Sequence, residues 1–179
     1  MNLRLVISGL VIAGMFTACN QTGETKDAKA VDSTAVGSAP AADLKDDKTQ
    51  EVYNDYLKLK DVLVSSDAAG AQAAGKELAT SLANVQGCEN TASLANKIAA
   101  AGDLKTQRVH FTALSSDIVA LLKHTDVNSG AMYVMHCPMI NEGKGGYWLA
   151  AEKEVRNPYY GDEMLNCGSV KETIGAGKN

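Results

Sequence analysis

Asp103-Leu-Lys-Thr-Gln-Arg-Val-His-Phe111-Thr-Ala-Leu114-Ser-Ser-Asp-Ile118-Val-Ala-Leu121-Leu122 reads as one long amphipathic helix. Leu104, Phe111, Leu114, Ile118 and Leu121 recur at helical spacing and share a face. Asp103 stands where an N-cap accepts the first exposed backbone N–H groups. The same spacing runs back to about residue 50. Val52, Tyr56, Leu59 and Leu63 follow at steps of four, three and four. Ser65-Ser66-Asp67 breaks that helix, and Asp67 is placed to cap the next. There Ala71, Ala74, Leu78, Leu82 and Val85 form a stripe with small residues that permits close packing, ended by Gly87. A shorter segment, about residues 90–101, carries Leu94 and Ile98 and stops at Gly102. Helices joined by turns this short predict an antiparallel up-down bundle, so the fold class is mainly α.

After Lys123 the composition changes. Gly130, Gly143, Gly145, Gly146, Gly161 and Gly168 punctuate the last third, with Pro138 and Pro158. Four of the six tyrosines and the single tryptophan, Trp148, lie there as well. The expectation is a mostly irregular or short-stranded, Gly/aromatic-rich segment packed on the bundle by its aromatics, with one or two helical turns over Trp148–Val155. Bundle and segment together make one domain, residues 51–175.

The N-terminus carries Arg4, an apolar run from Leu5 to Phe16, and Thr17-Ala18-Cys19. The run is too short to span a membrane and has the shape of a secretory signal. A cysteine directly after small residues reads as a lipoprotein signal: residues 1–18 removed, Cys19 acylated. A plain signal with Cys19 incidental is the alternative. Residues 19–50 lack apolar periodicity and read as a flexible tether. The expected location is a bacterial envelope, as a periplasmic lipoprotein on a membrane (the outer one by preference), touching it through the lipid alone. A net charge of −4 with no basic stripe argues against nucleic acid as a partner. No nucleophile elbow, phosphate loop or His-Glu-x-x-His helix is present, so the chain does not read as an enzyme.

Sulfur is distributed unevenly. The four methionines left after signal removal are Met132, Met135, Met139 and Met164, interleaved with His136, Cys137 and Cys167. Soft donors beside an imidazole suit Cu(I), with Ag(I) and Zn as weaker fits. Cys137 and Met139 share a face in extended chain, joined by Met135. Met164 and Cys167 fall on one side of a single helical turn. Asn157-Pro158-Tyr-Tyr-Gly161 is a turn signal that folds the second pair back onto the first. The candidate metal ligands are therefore Cys137, Met139, Met164 and Cys167, with His136 and Met135. A Cys137–Cys167 disulfide is the competing reading, tying a loop-rich segment and contributing roughly 3–4 kcal/mol for a loop of about thirty residues. Both readings stay open at this point. Without Cys19 the thiols are odd in number, and Cys88 reads as a free thiol outside the site.

The motifs Tyr133-Val-Met-His-Cys-Pro-Met139, Tyr147-Trp-Leu149, Glu154-Val-Arg-Asn-Pro-Tyr-Tyr-Gly-Asp-Glu-Met164 and Cys167-Gly168 carry a resemblance. The chain, from about Tyr53 to Val170, resembles an uncharacterised bacterial domain family. That family occurs as stand-alone envelope proteins, largely of Bacteroidetes, and as a C-terminal extension of periplasmic adaptor subunits of copper/silver efflux pumps. The C-terminal motifs are the specific part; the helical part, with Tyr56-Leu-x-Leu-Lys60 and Phe111-x-x-Leu-Ser115, is less so. The resemblance implies a helical domain that binds heavy metal at Cys137, Met139, Met164 and Cys167. The expected function is binding of Cu(I) in metal homeostasis or efflux, with an efflux adaptor or another envelope protein as partner. The alternative is a non-catalytic interaction module with a structural disulfide.

Overall fold

The computed structural model describes residues 41–175. The expected signal segment, Cys19 and the expected tether as far as residue 40 lie outside them. Four helices form: α1 Asp47–Val64, α2 Ala68–Ala83, α3 Glu89–Ala100 and α4 Leu104–Leu122. Three begin on an aspartate whose carboxylate accepts a backbone N–H three residues on: Asp46 from Thr49, Asp67 from Gly70 and Asp103 from Thr106, each at 2.9 Å. The Thr106 backbone and hydroxyl bonds hold the Asp103 carboxyl below its usual range. Helix and strand are present before residue 50, in the stretch that composition assigned to the tether. Asp46 caps α1 ahead of the boundary placed at residue 50. The short strand β1 (Asp43–Leu44) pairs antiparallel with β2 (Val127–Ser129), which ties down this end of the predicted tether.

The faces read from spacing are the ones that pack. Val52, Tyr56, Leu59, Leu63, Leu78, Leu82, Ile98, Phe111, Leu114 and Ile118 are fully buried in one continuous core. Gly75 shows why α2 carries small residues. A Cβ there would lie 3.1 Å from Ala95 O and Ala99 N of α3.

Beyond the bundle the chain takes the expected short-stranded form, as a small sheet. Strand β3 (Ala131–Cys137) is the centre of an antiparallel sheet ordered β4-β3-β5, flanked by β4 (Gly146–Ala150) and β5 (Ser169–Gly175). Met135 faces Trp148 and Cys137 faces Gly146 across one ladder; Met132 faces Ile174 across the other, which has a bulge between Val134 and Met135. Trp148–Ala150 is thus strand rather than the predicted helical turn, and Ala151–Glu154 bends. Pairing with β3 satisfies those backbone groups, and a tertiary ladder outweighs weak local helix preference. Met132, Tyr133, Val134 and Met135 are all buried, so both faces of β3 are covered.

Tyr56 joins the helices to the sheet. Leu149 N–H donates to its hydroxyl at 3.1 Å, and the same hydroxyl pairs with Ser115 Oγ of α4 at 2.5 Å. Tyr56 stacks on Phe111 with ring centroids 5.7 Å apart, Phe111 meets Tyr159 at 5.4 Å, and Tyr159 meets Trp148 at 6.1 Å. Lys60, fully buried, ties α1 to the bend after β4 through Glu152 at 3.2 Å, with Asp61 at 2.6 Å. Burial raises the Tyr56 hydroxyl well above the usual tyrosine range, so it stays protonated. Tyr56→Phe should leave the Leu149 N–H without a partner and cost about 1–3 kcal/mol in urea unfolding. Helical circular dichroism should be retained. An unfolding midpoint identical to that of the unaltered protein would show that this bond contributes nothing.

A paired-cysteine site at the end of the sheet

Cys137 is the last residue of β3 and is fully buried. Pro138 follows and cannot donate to the ladder, so the strand stops there. The chain then reverses through Ile140–Gly143, with Asn141, Glu142 and Gly143 at φ of 56°, 57° and 83°. Gly145 N–H closes this turn on Ile140 O at 2.9 Å. Gly145 itself has φ +79°, and a Cβ on it would lie 2.4 Å from His136 Nε2. Only glycine fits between that imidazole and β4.

The other half of the site is the loop after β4. Arg108 of α4 holds it down, donating from Nε to Pro158 O at 3.0 Å and from Nη2 to Leu63 O at 2.9 Å. Asn157 is fully buried. Its backbone N–H bonds Leu165 O at 2.8 Å, and its side chain accepts from Tyr159 N–H at 2.8 Å and donates to Cys167 O at 3.1 Å. Gly168 packs so closely that a Cβ would sit 2.7 Å from Trp148 Cη2. These contacts carry Cys167 to Cys137. The two form a disulfide across 30 residues, with Cα atoms 5.6 Å apart.

The remaining predicted ligands divide. Met135 is fully buried opposite Trp148 on the Cys137 face of β3, a core position. His136 lies on the other face, half-buried, its ring 4.4 Å from that of Tyr147, so it does not converge with Cys137. Met139 does not continue the Cys137 face as extended chain would require, because Pro138 ends the strand first. It is 58% exposed, and its carbonyl accepts from Tyr160 OH at 3.3 Å, which places it against the 157–167 loop. Met164 and Cys167 do not share a helical turn. The 3₁₀ turn Gly161–Glu163 stops before Met164, whose φ is −145°, and Cys167 N–H closes a reverse turn on Met164 O at 3.0 Å. Met164 is half-buried.

Among the described residues no three His, Cys, Asp or Glu side chains converge as a metal-binding group. A soft ion here would have to use the two cysteine sulfurs with the thioethers of Met139 and Met164. Asn157 escaped the sequence reading, which took it only as a turn former. Cys88 is a free, buried thiol at the start of α3; burial pushes its pKa up, with Glu89 and Asp117 adding to the shift. Peptide-mapped alkylation of the folded, air-oxidised protein should leave Cys137 and Cys167 unlabelled and label Cys88 slowly, faster as pH rises. A dithiol reductant should then expose the other two. Labelling of Cys137 without reductant would contradict the pairing.

Comparison with known proteins adds one match. Residues 52–130 match a family described as a protein of unknown function (DUF3347). No curated protein and no solved structure matches the chain. The matched stretch runs from α1 through β2 and ends at Gly130, ahead of β3, so it lies on the part where the resemblance was less specific. Of the chain's sulfur residues only Cys88 lies within it. Over its helices the chain is similar to a family of unknown function.

Proposed function

We propose that this protein is a non-catalytic envelope lipoprotein that captures a soft metal ion, Cu(I) before others, on the Cys137–Cys167 pair when that pair is reduced. One observation carries the reading. Two cysteines 30 residues apart are brought into bonding contact, and each has a methionine two or three positions away on the same segment. Thiolates and thioethers together favour Cu(I) over harder ions. Opening the disulfide with a dithiol yields two thiols on the protein and a disulfide on the reductant. Loss of their protons then makes the thiolates that bind the ion, so affinity should fall as pH falls. Met139, largely exposed, offers the ion a first and last contact by ligand exchange. A cleft of about 770 Å³ between α4 and Ile140, Tyr159 and Tyr160 leaves room for a partner beside it. The resemblance to efflux-adaptor extensions supports a heavy-metal efflux adaptor or another envelope protein as that partner, and the cell envelope as the location.

A second reading has its own observation. Cys137 is wholly buried, as a cysteine serving only as a staple would be. In that case the domain is an interaction module, and the disulfide stabilises it by roughly 3–4 kcal/mol. A Cu(I) competition titration of the reduced protein separates the two. Cargo binding predicts one ion held with sub-nanomolar affinity (~12 kcal/mol or more), shielding Cys137 and Cys167 from alkylation, and lost in Cys137→Ser. A reduced protein with no such affinity, or Cys137→Ser binding as tightly as the unaltered chain, sinks it. A staple alone predicts only a lower melting temperature in that variant.

A further inference from the structure

Asn157 takes no part in the chemistry just described, yet no polar side chain near the cysteines is more constrained. It is fully buried, and both ends of its amide are used: Oδ1 accepts Tyr159 N–H at 2.8 Å and Nδ2 donates to Cys167 O at 3.1 Å. Its own N–H reaches Leu165 O at 2.8 Å and its carbonyl accepts Gly161 N–H at 3.0 Å. Four bonds thus fold residues 157–167 onto a single residue. The Cys167 carbonyl needs a donor here, and an ionised aspartate would offer it only another acceptor. The hydrogen bonds at Cys167 itself are this amide and its own N–H to Met164 O, and the β5 ladder takes hold two residues later, at Ser169 opposite His136. Gly161 within this stretch and Gly168 just after it would let an untethered loop explore many conformations.

We propose that Asn157 is the positioning residue of the site: it keeps Cys167 opposite Cys137 after the disulfide opens. The reduced pair is then a preformed two-thiol site rather than one thiol and a wandering loop. The cargo rests on the function proposed above, but the positioning does not, because it also governs the thiol–disulfide equilibrium. That equilibrium is balanced as protein dithiol plus oxidised glutathione giving protein disulfide plus two reduced glutathiones. Its constant measures how concentrated each thiol is at the other.

The test uses the full chain with Asn157→Ala and Asn157→Asp, the second retaining the acceptor for Tyr159 N–H while removing the donor to Cys167 at neutral pH. In both, the glutathione equilibrium should shift at least tenfold toward the reduced form, about 30 mV in potential. The affinity of the reduced protein for Cu(I) should weaken at least tenfold too, with helical circular dichroism retained. Asp46→Ala, which removes the N-cap of α1, is the control for simple destabilisation: it should lower the melting temperature and leave the glutathione equilibrium in place. Equilibria within twofold of the unaltered protein in whichever Asn157 variants fold would overturn the positioning role. If the unaltered protein binds no Cu(I) when reduced, while Asn157→Ala still shifts the glutathione equilibrium, the cargo reading falls and the positioning role stands.

Discussion

Strand β4 lies at one edge of the three-stranded sheet, and an edge strand leaves a row of N–H and C=O groups without a strand partner. Two tyrosine hydroxyls answer that row. Leu149 N–H donates to Tyr56 OH, and Tyr147 O accepts from Tyr159 OH at 2.6 Å. Residues 147 and 149 are two apart, so their backbone groups point to the same side of the strand. The edge is therefore closed by side chains from α1 and from the loop rather than by another strand. Because Tyr56 also pairs with Ser115 of α4, one buried hydroxyl holds two helices and the sheet together. Each polar group in that cluster would be costly to leave alone in the core.

The position of the cysteines follows from this closure. With β4 fixed against the bundle, the ladder fixes β3, and β3 ends at Cys137. Arg108 and Ser66 come from the helical part and meet the opposite loop. Arg108 grips Pro158 O, while Gly161, at φ +57°, passes so close that a Cβ would fall 2.5 Å from Ser66 Oγ. Cys167 arrives from one side on a loop anchored to α4 and Cys137 from the other on a strand anchored to Tyr56. The disulfide joins two segments that the bundle already holds.

The helices were legible because each buries one face, which leaves a period near four in the sequence. Beyond them short strands were expected, but not their bounds or their pairing into a sheet, and β3 shows why. Ala-Met-Tyr-Val-Met-His-Cys has no alternation, since four consecutive side chains are buried on two faces. The glycines misled in a related way. Gly143, Gly145, Gly161 and Gly168 read as irregular chain, yet all have positive φ and mark places where ordered segments reverse or pack closely. At the site, the convergence of Cys137 and Cys167 could be read from composition and turn signals. The choice between bond and ligand could not, because it depends on the redox state around the molecule. Met139 was misplaced because Pro138 ends the ladder one residue early for an extended-chain argument. Asn157 was missed because its partner Cys167 lies ten residues ahead, beyond the reach of a local turn rule.

The uneven distribution of methionine now has two explanations rather than one. Met132 and Met135 are fully buried in β3, opposite Ile174 and Trp148, and fill the core, the ordinary use of a flexible side chain. Packing does not account for Met139, which holds a long apolar side chain in water while Tyr160 fixes its carbonyl. Met164 is half-buried on the reverse turn that ends in Cys167. The sulfur that core packing leaves over is therefore two thioethers, two and three residues in sequence from the paired cysteines. While Cys137 and Cys167 are bonded to each other neither has a thiolate to give, so on the proposed reading disulfide and soft ion compete for the same two atoms. On the proposed reading, an ion that binds only the open pair raises its population by mass action. The fold's contribution to that competition, as proposed for Asn157, is to keep the two sulfurs together after the bond opens.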